Sequence, residues 1–349
     1  MPASDWNLAR PRRTILRRTV RALLWAGAGL ALVLVVTLAG FRWQAERREA
    51  HAAGDLAPPT GRFVTARDVR LFVQELGPRS GPTVLLIHGT GAWSETWRET
   101  MHALAGAGFR AIAIDLPPFG FSQRPADRSY APAQQGLRIA AALEALGVAR
   151  AVLVGHSFGG GPTVEAAFSA PGRIRALVAV DVALGLGTGE PRVDAPSPLL
   201  QRALALEPLR DAVVATFLTN PLFTRTLLES FVADPAAATD ARVRIYQAPL
   251  AVEGTTRAIG AWLPALLTAE GTPRSATPAP SRALAVPTLV VWGDRDTITP
   301  LAQGRYLAGL IPGARLAVLE GVGHIPQIES PARFNAVLLE FVSGLAADP

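Results

Sequence analysis

The sequence contains no cysteine, and its 34 basic residues include no lysine. Without cysteine there is no disulfide, no thiolate metal site, no iron–sulfur cluster and no thiol nucleophile. Without lysine there is no Walker A phosphate loop, no Schiff base and no lysine general base. Charge is sparse too, at 18% of residues against 49% hydrophobic ones, a balance that excludes a disordered tail. What is present suffices for a substantial core: 349 residues, enough for one large domain or two moderate ones.

The excess of positive charge is local. Residues 1–50 hold nine arginines against Asp5, Glu46 and Glu49, a net +6 that equals the net charge of the whole chain. Residues 51–349 carry 25 arginines and 25 acids and are formally neutral. A nucleic-acid footprint needs a basic patch on the folded part. The neutral remainder gives no support for one, and no nucleic-acid partner is expected.

From Ala22 to Phe41 the chain runs twenty residues without a charge. A helix of that length spans roughly the 30 Å hydrocarbon core of a bilayer. Six arginines precede the stretch and three follow it. The positive-inside rule then puts a basic segment, residues 1–21, in the cytoplasm and exports everything beyond the span, to the periplasm or the exterior. A cleaved signal peptide is the alternative, with a small-residue site around Thr37-Leu38-Ala39, although its apolar region is usually only 7–15 residues. Arg12-Arg13 also fits a twin-arginine export signal. All three readings export the remainder; the longer apolar run favours an uncleaved anchor. Residues 42–60 are polar, then alanine- and proline-rich, and read as a juxtamembrane linker.

Beyond the linker, short apolar runs alternate with helical patterns. Val69–Leu76, Thr83–His88, Arg110–Leu116, Ala151–Gly155, Ala176–Val182, Thr288–Trp292 and Ala314–Leu319 read as strands. Helical periodicity lies between most of them, as in Ala131–Leu146 and Pro331–Leu345. That alternation predicts an α/β fold, a mostly parallel doubly wound sheet covered on both faces. Residues 185–281 contain no convincing strand and are too long for a loop. Helical stretches around 198–219, 221–233, 236–247 and 256–269 make this segment a helical cap inserted in a core formed by 61–184 and 282–349.

Gly155-His156-Ser157-Phe158-Gly159 matches G-x-S-x-G and sits between the strand AVLVG and a helical stretch. That is where a strained nucleophile elbow belongs, with glycines leaving room for a tight turn. A serine nucleophile needs a base, and the base an orienting acid. Of five histidines, His51 lies in the linker, His102 on a helix face, His88 ends a strand, and His156 adjoins the serine and points elsewhere if Ser157 is exposed. His324 remains, in a Gly/Pro-bracketed loop after the last strand. For the acid, Asp294 and Asp296 both follow the strand TLVVW, and one of them is a turn or cap residue. Glycines in His88-Gly89-Thr90-Gly91 let backbone approach a substrate, so the N–H groups of Thr90 and Phe158 are candidates for an oxyanion hole.

With these strings in place, the chain resembles the α/β-hydrolase superfamily, in particular its cap-bearing esterase, dehalogenase, epoxide-hydrolase and C–C-hydrolase branch. The likeness covers roughly 61–184 and 282–345 and is weak across the cap. Asp115-Leu116-Pro117-Pro118-Phe119-Gly120-Phe121-Ser122 resembles the family's D-x-P-G-x-G-x-S turn, with Pro118 where glycine is usual. Gly323-His324-Ile325-Pro326 and the following Glu329-Ser330-Pro331 resemble its histidine loop and final helix, Glu329 there being structural. The resemblance implies the order Ser157, Asp296, His324, and hence Asp296 rather than Asp294 as the acid.

The expected chemistry is therefore a serine hydrolase cleaving a small carboxylic ester through an acyl-enzyme, with no cofactor and no metal. Gly89, Trp93, Phe217, Phe223, Phe231 and Trp262 are the candidate lining of an apolar pocket, which suits hydrophobic esters or lactones. A C–C-bond hydrolase or a thioesterase would use the same residues. Dehalogenase and epoxide-hydrolase chemistry is disfavoured by serine at position 157, where those enzymes carry aspartate. A binding protein on an inactive hydrolase scaffold is the reading from another class; the filled catalytic positions argue against it.

Overall fold

The computed structural model describes residues 10–186, 197–267 and 273–347. Its centre is an eight-stranded sheet. Two strands, β1 (Gly61–Ala66) and β2 (Val69–Leu76), form a hairpin closed by Arg67 in the left-handed region, at φ 60°. The remaining strands are β3 (Thr83–Ile87), β4 (Arg110–Ile114), β5 (Ala151–His156), β6 (Ile174–Val180), β7 (Thr288–Gly293) and β8 (Arg315–Leu319). Their order across the sheet is β1-β2-β4-β3-β5-β6-β7-β8, with β3 to β8 parallel and the hairpin antiparallel at one edge. The seven expected strands are all present to within about two residues. The hairpin partner β1 was not anticipated, because its exposed Arg62 and half-buried neighbours carry no continuous apolar run.

Side chains of the central strands alternate between two cores, as the pleat requires. Leu85 and Ile87 of β3 pack on the side of α3 (Pro132–Ala145) and α4 (Gly160–Ser169). Val84 and Leu86 face Trp97, Met101 of α2 (Arg98–Gly106), and Phe334 of the C-terminal helix Pro331–Ala347. Both faces are thus covered, and the near-continuous apolar runs of β3 to β7 follow from that burial.

Between β6 and β7 the described residues hold helices and no strand: α5 (Pro198–Ala205), α6 (Glu207–Phe217), α7 (Thr224–Phe231), α8 (Asp240–Gln247), α9 (Thr255–Leu267) and a short helix, Pro278–Arg282. The expected helix over 198–219 is broken at Leu206, and residues 268 and 269 of the last expected helix lie outside the described residues. Thr239 caps α8, its hydroxyl accepting from the Arg242 N–H.

The N-terminal helix α1 runs from Arg10 to Arg48, its side chains exposed through most of the apolar stretch. Residues 42–60 do not behave as a free linker. Arg42–Arg48 complete α1, and the residues just beyond this helix are docked on the cap. The Arg48 guanidinium donates to the Leu250 carbonyl at 3.0 Å, and Glu49, 8% exposed, accepts from the Thr256 N–H and hydroxyl. His51 pairs with Val252 in an isolated parallel bridge. Polar composition suggested solvent; here the polar groups satisfy backbone and side-chain partners on the cap.

Candidate active site

Parallel strands bring the carboxyl ends of β3, β5, β6, β7 and β8 to one edge of the sheet, where the loops that follow them meet. Ser157 directly follows β5 and opens the 3-10 turn, Ser157–Gly159, that leads into α4. Its φ is 49°, in the left-handed region that costs a residue bearing Cβ of order 1–3 kcal/mol. The glycines around it are there for contact. A Cβ on Gly159 would stand 2.5 Å from the His88 carbonyl oxygen, and one on Gly155 2.5 Å from the Thr163 hydroxyl.

Ser157, His324 and Asp296 come together and are all buried. His324 Nδ1–H donates to Asp296 Oδ2 at 2.7 Å, which leaves Nε2 to accept from the Ser157 hydroxyl at 2.8 Å. Asp296 is held by its own turn: Oδ1 accepts from the N–H groups of Ile298 and Thr299, and Oδ2 from the Thr299 hydroxyl. Burial alone would raise this carboxyl's pKa, but the bonds from His324 and Thr299 outweigh it and hold the group below the usual carboxylate range. Asp294 is exposed and accepts from the Gly321 N–H at 2.6 Å, fixing the loop instead. Glu329 accepts from the N–H groups of Gly323, Ala233 and Asp234, tying the histidine loop to the cap.

His88 and His156 are neutral struts. His88 Nδ1–H donates to the Gly89 carbonyl and Nε2 accepts from the Leu116 N–H, with burial pushing its pKa down to about 4. His156 does not point away from the site. Its Nε2–H holds the His324 carbonyl at 2.7 Å, it borders the cavity, and burial pushes its pKa down to about 3.

A cavity of about 170 Å³ opens on Ser157 and His324. Of the candidate lining residues, Phe231 and Trp262 border it, as does Thr90. Gly89 lies behind the serine, where a Cβ would meet His156 and Ser157 at under 3 Å. Trp93 is buried elsewhere, edge-on to Phe121, with its indole N–H on the Ile245 carbonyl. Phe217 and Phe223 pair with each other on the outer surface, at 5.9 Å between rings. The Phe158 side chain packs on Phe119 and Trp262. Two helical stripes account for much of the true cap lining: Thr224, Leu227, Leu228 and Phe231 on α7, and Thr255, Ile259 and Trp262 on α9. That i, i+3/i+4, i+7 spacing is present in the sequence, and most of its members are not aromatic.

Two further residues were missed. Arg124 puts a cation on the cavity wall; it donates to the Ser122 carbonyl and the Thr255 hydroxyl, and its Nε has no partner. Asp181, just after β6, is fully buried at φ 43°. Its Oδ1 accepts from the Gly293 N–H, while Oδ2 has no partner. Burial and then the neighbouring Asp296 charge push the Asp181 carboxyl well above the usual carboxylate range. Asp181, Asp296 and His324 present atoms within 4.8 Å of one another, a spacing a cation would also accept, but Asp296 Oδ2 already takes two donors.

Comparison with known proteins agrees with this geometry. A family model described as the alpha/beta hydrolase fold matches residues 82–331. A 2-hydroxymuconate semialdehyde hydrolase of Pseudomonas sp. (strain CF600) is 32% identical over 294 residues, covering 82% of this chain and 95% of its own. The structure of a meta-cleavage product hydrolase from Pseudomonas fluorescens IP01 superposes with a TM-score of 0.66 at 27% identity, over 82% of this chain and 98% of the other. That of a membrane phospholipase A, described as a bacterial virulence factor, does so at 0.65 and 26% identity, over 96% of this chain and 99% of the other.

Proposed function

The chain belongs to the α/β-hydrolase family, and from that premise we propose that it is a serine hydrolase of carboxylic esters with apolar acyl groups, held at a membrane by α1. The observation that carries the reading is the bonded chain Asp296–His324–Ser157 opening into a largely apolar cavity. His324 Nε2 takes the hydroxyl proton as Ser157 Oγ attacks the ester carbonyl, and Asp296 stabilises the imidazolium. The N–H groups of Thr90 and Phe158 receive the oxyanion. His324 returns the proton to the departing alcohol, then activates the water that hydrolyses the acyl-enzyme.

Arg124 favours a second reading. A cation on the cavity wall suits a substrate bearing a carboxylate, and the muconate-derived substrate in the Pseudomonas relative's name is of that kind. C–C cleavage of such a compound would use the same serine and histidine.

The test treats the full chain in detergent with a fluorophosphonate probe, chromogenic esters and a dienone C–C substrate, beside Ser157→Ala. Labelling and ester turnover that vanish in Ser157→Ala support the esterase. Dienone cleavage without ester turnover overturns it in favour of the C–C reading, and inertness to every substrate overturns both. For topology, six arginines before the apolar stretch and three after it support an N-terminus in the cytoplasm and a hydrolase on the exported side. A reporter fused after residue 60 that is active only in the cytoplasm refutes that orientation.

A further inference from the structure

Outside α1, seven of the eight exposed large apolar side chains among the described residues fall in one short segment: Leu206, Leu209, Val213, Phe217, Leu218, Leu222 and Phe223. The outward face of α6 is inverted relative to an ordinary surface helix. Its charged pair, Arg210 and Asp211, is buried and bonded at 2.9 Å, while Leu209, Val213 and Phe217 line one exposed stripe at helical spacing. Phe217 packs on Phe223 and so joins the stripe to the next turn, where Leu222 is 78% exposed. A contiguous apolar face of this kind marks an interaction site.

Two observations identify what covers it. First, the cap helix that carries the stripe is the one against which α1 packs. The side chains of α1 that lose exposure are Leu38, Phe41, Arg42, Ala45 and Arg48, a single stripe that begins inside the apolar stretch and is continued beyond the helix by Glu49. The α6 face therefore lies at the depth where a membrane-spanning α1 leaves the hydrocarbon. Trp43, exposed and stacked under Arg47 at 4.7 Å, is the aromatic–basic pair favoured at that boundary. Second, the face borders the catalytic cavity. Leu218 belongs to both, and Thr224 and Leu227 follow directly into the lining.

We propose that the α6–Phe223 face seats on the bilayer that holds α1 and opens the catalytic cavity to acyl lipids resident in that leaflet. This deepens the anchored-esterase reading and rests on it: the substrate class is a lipid ester whose acyl chain enters past Leu218 without crossing water.

The absence of cysteine allows single-site labelling of the full chain. An environment-sensitive fluorophore is attached to Leu32→Cys in α1, Leu209→Cys and Leu222→Cys on the face, and Arg79→Cys at the opposite edge of the sheet. Each is reconstituted in phosphatidylcholine–phosphatidylglycerol vesicles with and without spin-labelled lipid. Positions 32, 209 and 222 are expected to be quenched at least twofold and position 79 not at all. Quenching at 32 without quenching at 209 and 222 overturns the docking and leaves the anchor standing; no quenching at 32 overturns the anchor itself. Cross-linking of Leu222→Cys chains with no lipid quenching assigns the face to a second copy and overturns the proposal. In a parallel assay, Leu209→Glu/Leu222→Glu is expected to lose at least tenfold turnover of a long-chain ester carried in vesicles. Its kcat/KM on a water-soluble short-chain ester is expected to stay within twofold. Equal loss on both substrates refutes access from the lipid.

Discussion

Replacing Asp296 by asparagine tests the proposed mechanism at its most geometrically determined point. Asparagine has the same shape, so its effect depends on which way the amide turns, and the surroundings decide that. The Oδ1 position faces two backbone donors, the N–H groups of Ile298 and Thr299 at 2.8 and 2.9 Å, and so requires oxygen. The NH2 must then occupy the Oδ2 position, pointing at His324 Nδ1, 2.7 Å away. A donor there forces Nδ1 to become the acceptor and moves the ring proton to Nε2, facing the Ser157 hydroxyl. No base remains for the nucleophile. A wrong tautomer of this kind lowers kcat by about 10⁴ in a serine protease triad, or about 5 kcal/mol of transition-state stabilisation. The same order is expected for Asp296→Asn on a chromogenic ester, with KM and the thermal midpoint nearly unchanged. Asp294→Asn, whose partner is the Gly321 N–H, is expected to stay within threefold of the parent. A drop of less than tenfold in Asp296→Asn, or a larger one in Asp294→Asn, would show that the histidine is not oriented as argued.

The raised Asp181 carboxyl gives a stability signature. Its folded pKa is raised by burial and by Asp296, so the folded state binds a proton that the unfolded state has released, and stability falls as pH rises from the ordinary carboxylate range toward that raised value. Asp181→Asn removes the penalty: thermal midpoints measured from pH 4 to 9 should show the variant gaining on the parent with rising pH, and a gap that is constant or shrinks contradicts a raised Asp181 pKa. In the elbow, Gly159→Ala drives a Cβ to 2.5 Å from the His88 oxygen and 2.8 Å from Ile87, so denaturant midpoints should reveal a loss of roughly 1–3 kcal/mol or more; an unchanged midpoint would mean the turn is looser than described. In the pocket, Phe231→Ala should raise KM for a long-chain ester in detergent solution, whereas Phe217→Ala, on the outer surface, should not. The opposite ranking would place the acyl site outside the cavity.

The strands, the elbow and the histidine loop were legible because each is written locally. Thr83–Ile87 and Ala151–His156 are buried on both faces and so are apolar but for Thr83 and His156 at their ends. The glycines beside Ser157 are required by backbone and side-chain contacts within a few ångströms. Asp181 was illegible for the opposite reason. Nothing near it in the sequence indicates that the end of β6 lies beside the end of β7; the parallel pairing of these strands, separated by the whole cap, creates that neighbourhood. Arg124 was hidden similarly, as its partner Thr255 is 131 positions away. The segment after Arg42 misled because composition records how polar a stretch is and not what satisfies it: Glu49 is as polar as any linker residue, yet it is buried against Thr256.

The aromatic residues of the cap carry the sharpest lesson about such insertions. In a core helix an apolar stripe has one interpretation, since it must face the sheet. A cap helix lies between the active site and whatever surrounds the protein, and its apolar positions divide between those directions. On α7 and α9 the stripes turn inward and supply Phe231 and Trp262 to the cavity. On α6 the stripe turns outward, while an arginine–aspartate pair is buried beneath it. Both patterns have the same periodicity, so periodicity alone cannot assign Phe217 to the pocket or to the surface. What separates them is the buried charge: a helix that hides Arg210 and Asp211 and exposes Leu209, Val213 and Phe217 is matched to an apolar environment outside the fold. The docked end of α1, bonded to Leu250 and Thr256 beside the cavity wall, would in the proposed docking bring that environment to the same side of the molecule as Ser157.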